Sequence, residues 1–261
     1  MASKQCGFIW YELNTTDQAA ARVFYGNLAG WSATAMPMSP PGMNYTLLSL
    51  SGGPAVAGMM DLMADARAKG VPPHWLGYVG VDDVDASQAR ALALGASVVV
   101  PATDIPGVGR FAYIQDPQGA ALVMMTSINP AEAPPPPAAG TPGTFGWHEL
   151  YSTDWPAALA FYDAMFGWQK GEAMDMGPMG TYQMFTCDSV PIGGMMTKPA
   201  AMPVPAWGYY INVAGVDAAL ATITAGGGMV LSGPHQVPGG NWIIQGMDPQ
   251  GAAFAVVGPQ R

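Results

Sequence analysis

The sequence predicts an α+β fold assembled from four βαβββ units, and three observations lead there. The chain repeats itself once. Each half runs twice through the order strand, helix, strand, strand, strand. Each half also closes on the same Asp-Pro-Gln-Gly turn, at Asp116–Gly119 and again at Asp248–Gly251. The repeat is dense at the start, where Trp10-Tyr11-Glu12-Leu13 and Thr16-Asp17 return 137 residues later as Trp147-His148-Glu149-Leu150 and Thr153-Asp154. Phe24-Tyr25, Gly30-Trp31 and Tyr45 recur as Phe161-Tyr162, Gly167-Trp168 and Tyr182, and Gly58-Met59-Met60 recurs as Gly194-Met195-Met196. Trp75, Tyr78 and Val84-Asp85 are matched by Trp207, Tyr210 and Val216-Asp217. A self-similar chain of this kind is a tandem duplication.

The elements of the first half follow from local chemistry. An apolar strand over Phe8–Asn14 meets Thr15-Thr16-Asp17, side chains that cap helix N-termini. The helix spans Gln18–Leu28, with Ala21, Phe24, Tyr25 and Leu28 on one face, and stops at Gly30. Short β-type runs cover Trp31–Met36, Tyr45–Leu50 and Pro54–Met60, before a helix-prone stretch over Leu62–Lys69. The order then restarts with strand Trp75–Val81, the cap Asp82-Asp83, helix Ala86–Leu94 and Gly95. Strands follow over Ser97–Val100, Arg110–Gln115 and Ala120–Met125. In the closing hairpin, Pro and Gly suit positions i+1 and i+3 of a type I turn. Between the halves, Asn129-Pro130-Ala131-Glu132-Ala133, four prolines and Ala138–Pro142 form a semi-rigid linker. The expected domains are 1–128 and 144–261, joined by 129–143.

Composition narrows the function. Half of the 261 residues are apolar and 10% are charged, against the ~25% charged of an average soluble chain. The net charge of −9 with no Lys/Arg cluster argues against nucleic acid and against an anionic membrane surface as partners. No apolar run reaches the ~18 residues that span a bilayer, and no signal-peptide h-region is visible. Cys6 and Cys187 read as ordinary buried thiols of a cytoplasmic protein, with a single bridge between them left open.

The strand–helix order, the Phe-Tyr and Gly-Trp pairs and the Asp-Pro-Gln-Gly hairpins resemble the vicinal oxygen chelate superfamily. That group includes glyoxalase I, bleomycin-resistance proteins and extradiol dioxygenases. The resemblance covers nearly the whole chain in two copies. It implies that the units curl into two cup-shaped, glyoxalase-like domains whose concave faces hold the ligand. Metal-using members place His, Gln or Glu inside the cup. The corresponding positions here hold Trp10 and Trp147, Leu76 and Gly208, and Val123 and Ala255, none of which offers a lone pair suited to Zn²⁺, Ni²⁺ or Fe²⁺. His74, His148 and His235 face Ala206, Tyr11 and Thr103 in the repeat alignment, so they do not rescue the site. The expectation is no metal and no cofactor.

Glu12 and Glu149 are the candidate catalytic residues. They occupy one repeat position, lie mid-strand and share a face with the preceding Trp by period-2 alternation. A desolvated carboxylate there would have a raised pKa and suit a general base; the alternative is that each accepts hydrogen bonds from Trp or Tyr and fixes the strand. Trp10, Tyr45, Tyr78 and Tyr113, and in the second half Trp147, Tyr182 and Tyr210, are the candidate ligand-binding surface. Asn212 and Gln245 replace Gly80 and Tyr113 and make the second cup more polar. His148 reads as packed. The Met59-Met60 and Met195-Met196 pairs read either as core or as an adaptable wall.

The leading expectation is a metal-independent glyoxalase/bleomycin-resistance-like protein, monomer or homodimer, that binds a small apolar or planar metabolite. A metal-free isomerase, lyase or cyclase with a glutamate base is the alternative, and a metal-dependent glyoxalase-type lyase a second.

Overall fold

The structure, a computed structural model, describes residues 6–37, 44–129 and 135–260. Residues 130–134 of the expected linker lie outside them. Among the described residues, no helix is long and apolar enough to cross a membrane.

The α+β class and the four modules are those expected. The first module has β1 (Phe8–Thr15), α1 (Gln18–Ala29), β2 (Ser32–Pro37), β3 (Asn44–Ser49) and β4 (Ala55–Asp61), followed by the short α2 (Ala64–Ala68). The second has β5 (His74–Gly80), α3 (Val84–Ala93), β6 (Ser97–Ile105), β7 (Gly109–Gln115) and β8 (Ala121–Ser127). The third has β9 (Phe145–Ser152), α4 (Trp155–Phe166), β10 (Gln169–Asp175), β11 (Thr181–Cys187) and β12 (Val190–Thr197). The fourth has β13 (Ala206–Asn212), α5 (Val216–Ala225), β14 (Met229–Gln236), β15 (Trp242–Met247) and β16 (Ala253–Gly258). Two eight-stranded mixed sheets result, in the orders β2-β3-β4-β1-β5-β8-β7-β6 and β10-β11-β12-β9-β13-β16-β15-β14.

Helix α1 forms as its sequence dictates. The Asp17 carboxylate accepts from Ala20 N at 3.0 Å, and Gly30 closes the helix at φ +71°, a left-handed conformation that glycine adopts without penalty. The buried face is Ala21, Phe24, Tyr25 and Leu28. Helix α3 starts at Val84, two residues before the expected Ala86, directly after Asp83 of the expected cap, whose carboxylate accepts from Ala86 N. Strand β6 runs to Ile105, well past the expected end at Val100. Pro101 cannot donate to a ladder, but β6 is a sheet edge and its register shifts between Val98 and Thr103, so the missing donor is tolerated.

The chain forms two compact units. One comprises Met1–Ile9, Leu76–Ala133 and Trp147–Gly208; the other comprises Trp10–Trp75, Pro134–Gly146 and Tyr209–Arg261. Each unit therefore draws one module from each half of the repeat. The first unit packs the second module against the third. There the Tyr162 hydroxyl donates to Asp116 Oδ2 at 2.9 Å, while Asp116 Oδ1 accepts from Gln118 N at 2.8 Å and Ala120 N at 2.9 Å. The second unit repeats the arrangement with the first and fourth modules: the Tyr25 hydroxyl donates to Asp248 Oδ2 at 3.1 Å, and Gln250 N and Ala252 N donate to Asp248 Oδ1, each at 2.9 Å. Burial holds the Asp248 carboxyl above the usual carboxylate range, against the lowering effect of these donors. Trp75 and Trp207 donate in turn to the two tyrosine hydroxyls. The Phe-Tyr and Asp-Pro-Gln-Gly motifs are thus two ends of one contact.

Cys6 and Cys187, read as buried thiols with a single bridge between them left open, are joined in a disulfide within the first unit. Their sequence separation of 181 residues conceals a juxtaposition that the tertiary structure creates. Beside it His148 stacks on Phe8 at 3.9 Å between ring centroids, and its Nδ1 meets the Ile192 carbonyl. Burial lowers the His148 pKa to about 4. In the unfolded chain the ring titrates near 6.5, so the unfolded state binds the extra proton first. Stability contributed by neutral His148 is present above about pH 6.5 and is lost as the pH falls toward 4. Chemical denaturation at pH 7 and pH 5 should show about 2 kcal/mol of acid destabilisation from this group. In His148→Phe the difference between the two pH values should shrink by that amount; an unchanged difference would show that His148 is not its source.

Candidate functional site

In each unit a buried glutamate is engaged by the aromatic residues of its own module. On β1, period-2 alternation sends Tyr11 and Leu13 to one face and Trp10, Glu12 and Asn14 to the other. Glu12 is buried and sits in register with Gly58 on the parallel neighbour β4. Because Gly58 has no side chain, Tyr45 of β3 lies across it; a Cβ there would run into the phenol. The Tyr45 hydroxyl therefore reaches Glu12, to which it donates, and accepts from Trp10 Nε1 at 2.9 Å. Asn14 Nδ2 donates to Glu12 Oε1 at 3.3 Å.

The other unit rebuilds this set. Glu149 pairs in register with Gly194, Tyr182 fills the space over Gly194 and donates to Glu149, and Trp147 Nε1 donates to the Tyr182 hydroxyl at 2.7 Å. Here Tyr151 replaces Asn14 as a donor, with its hydroxyl 2.5 Å from Glu149 Oε2. Burial, and next the neighbouring glutamate, raise both Tyr45 and Tyr182 far above the ordinary phenol value, which keeps them as neutral donors. Phenol and amide donors stabilise the ionised form of a carboxylate. Trp10 and Trp147 are half-buried beside it.

The remaining predicted residues form a second row in each unit. In the first, Tyr78 and Tyr113 both pair in register with Val123 across β5-β8-β7, placing the two phenols on either side of it. In the second, Tyr210 and Gln245 flank Ala255 in the same way, and Gln245 Nε2 donates to the Tyr210 hydroxyl at 2.7 Å. Asn212 is not free in this row: its Nδ2 donates to Thr144 Oγ1 at 2.9 Å, and it fastens the strand end to the residues that precede β9.

Asn14, Tyr151 and the two glycines were not expected at the site. The signal for the glycines was their recurrence in Gly58-Met59-Met60 and Gly194-Met195-Met196; Met59 and Met195 themselves are fully buried core. A groove of about 340 Å³ in the first unit contains none of the predicted residues; it is lined by Asp83, Asp85, Asp104 and Arg110, and Arg110 clasps Asp85 and Asp104 at 2.7–2.9 Å. Around Glu12 and Glu149 the donor atoms come from one carboxylate with amide, phenol and indole groups. Among the described residues, the one set of three His, Cys, Asp or Glu side chains whose ligand atoms converge is Cys6, Cys187 and Asp188, which includes neither glutamate. The residues at the glutamates do not fit a metal held by several such side chains.

The model of the "Glyoxalase/Bleomycin resistance protein/Dioxygenase superfamily" matches residues 7–124. "Putative glyoxylase CFP32" of Mycobacterium bovis is 34% identical over 250 residues, covering 96% of this chain and 94% of its own. "Anthracycline biosynthesis protein DauV" of Streptomyces sp. strain C5 is 32% identical over 263 residues, with 95% and 91% coverage. Among solved structures, the Mn(II)-bound glyoxalase from Novosphingobium aromaticivorans superposes with a TM-score of 0.65 at 15% identity, over 99% of this chain and 83% of that one.

Proposed function

The chain belongs to the glyoxalase/bleomycin resistance/dioxygenase superfamily, and from that premise we propose that it binds a small apolar or planar organic metabolite without a metal ion. The observation that carries this reading is the duplicated Trp–Tyr–Glu set. It offers an indole face for stacking and, beside it, a buried carboxylate oriented by its own phenol. Such a surface suits a flat ring system that carries a hydroxyl or N–H donor for the glutamate. The relative named for anthracycline biosynthesis supports the choice of fused planar rings as the ligand class. The side chains around each glutamate, poor in metal-binding donors, support metal independence.

The test is titration of EDTA-treated protein with a hydroxylated anthraquinone, read by tryptophan fluorescence and calorimetry. Binding should survive chelation. It should weaken about tenfold or more in Glu12→Gln or Glu149→Gln, since a hydrogen bond to a charged group contributes about 1.5–3 kcal/mol. Binding that appears only after a divalent cation is added would overturn the reading. Glu12 also supports a second reading as a general base, because one of its two neighbours named above is a neutral amide at 3.3 Å, whereas Glu149 faces two phenols. If Glu12→Gln keeps affinity for a substrate but abolishes its turnover, that reading replaces the binder.

A further inference from the structure

We propose that Cys6, Cys187 and Asp188 form a redox-gated site for a thiophilic divalent cation such as Zn²⁺, closed while the disulfide is intact and opened by its reduction. The ligand atoms of the three residues lie within 4.8 Å of one another, and the two cysteine Cα atoms are 5.8 Å apart. Two thiolates on one tetrahedral zinc, each about 2.3 Å from the metal, are roughly 3.8 Å from each other. Side-chain rotation alone supplies that separation once the S–S bond is broken. Asp188 follows Cys187 directly, in the turn that joins β11 to β12, and its left-handed backbone (φ +49°) sets its carboxylate in the same cluster as the sulfurs. Asp188 is exposed and Cys187 half-buried, so the cluster has an open side for a water ligand and for a reductant.

In the tandem repeat the same juxtaposition occurs a second time without a covalent bond. In the other unit, Gly143 and Leu50 occupy the positions of Cys6 and Cys187. They too lie together, since a Cβ on Gly143 would strike Leu50. The flanking indole bond is also conserved between units: Trp31 donates to the Gly143 carbonyl at 2.7 Å as Trp168 donates to the Cys6 carbonyl at 2.6 Å. The juxtaposition therefore belongs to the module, and one copy alone carries sulfur and a carboxylate at it. Reduction is a two-electron, two-proton step. A dithiol reductant is oxidised to its disulfide, the Cys6–Cys187 bond breaks, and two thiols form. Cation binding then releases the two thiol protons, leaving thiolate ligands.

The experiment uses the full, tag-free chain, oxidised or reduced by a phosphine, titrated with Co²⁺ and Zn²⁺ while far-UV circular dichroism follows the fold. Reduced protein should bind one equivalent of Co²⁺ with a sulfur-to-metal charge-transfer band that Zn²⁺ displaces, and oxidised protein should bind none. Asp188→Asn, which keeps the turn because asparagine tolerates the left-handed region, should weaken binding at least about tenfold. Cys6→Ser should remove the band. The proposal fails if the reduced chain shows no thiolate band, if Asp188→Asn binds as tightly as the parent chain, or if reduction unfolds the protein and the cation does not restore it.

Discussion

Replacing Asp116 or Asp248 by alanine is expected to lower stability by about 3–5 kcal/mol, the largest loss any single polar substitution should produce in this chain. Each side chain is 4% exposed and accepts two backbone N–H groups of its own hairpin and a tyrosine hydroxyl from a module of the other half. Alanine leaves those donors buried without acceptors, at about 1–3 kcal/mol each. Thermal unfolding should show the transition of the affected unit move down by roughly 10 °C, given about 2–4 °C per kcal/mol for domains of this size. Tyr25→Phe and Tyr162→Phe remove one donor to the aspartate and also the acceptor of one buried indole N–H, that of Trp75 or Trp207, so about 2 kcal/mol is expected from each, less than from the aspartates. Equal effects for Asp248→Ala and Tyr25→Phe would mean that the backbone N–H groups find other partners and the account of the hairpin is wrong.

The second large effect is expected at the glycines beneath the tyrosines. Gly194→Val puts a branched side chain where the Tyr182 ring lies, and Gly58→Val does the same to Tyr45. The phenol has to leave, which breaks both the Trp-to-Tyr and the Tyr-to-Glu hydrogen bonds and overpacks the strand. Overpacking alone costs about 1–3 kcal/mol, and the lost bonds bring the total to about 4 kcal/mol. Ligand affinity should fall with it, because the carboxylate loses its orienting donor. Gly208→Ala is the matched control. Its added Cβ meets nothing nearer than the Glu149 carbonyl oxygen at 3.7 Å, an ordinary contact, so stability should stay within about 0.5 kcal/mol or rise slightly. Denaturant titrations of the three variants decide the matter; a Gly194→Val protein as stable as Gly208→Ala would refute the packing described here.

Features governed by near neighbours were legible before the structure. The Asp17 cap, the Ala21–Phe24–Tyr25–Leu28 face and the Gly30 stop of α1 each depend on residues within a turn or two. Trp10 and Glu12 share a face because strand side chains alternate, and that too is local. What joins them is not. Tyr45 arrives from a strand two places away in the sheet, over a glycine whose importance depends on register rather than composition. Strand β6 passes its expected end at Val100 because a proline is tolerated in an edge strand, and which strand lies at the edge is set by the whole sheet. The repeated motifs were visible as motifs, yet nothing in their spacing says that Tyr25 meets Asp248, 223 residues distant, rather than the aspartate of its own half.

That crossed pairing has a consequence for how the molecule can be taken apart. Severed in its proline-rich middle, the chain would yield two fragments, each carrying a tyrosine and an aspartate that cannot satisfy one another. A single copy of the repeat could make the crossed tyrosine-to-aspartate contacts only by pairing with a second copy.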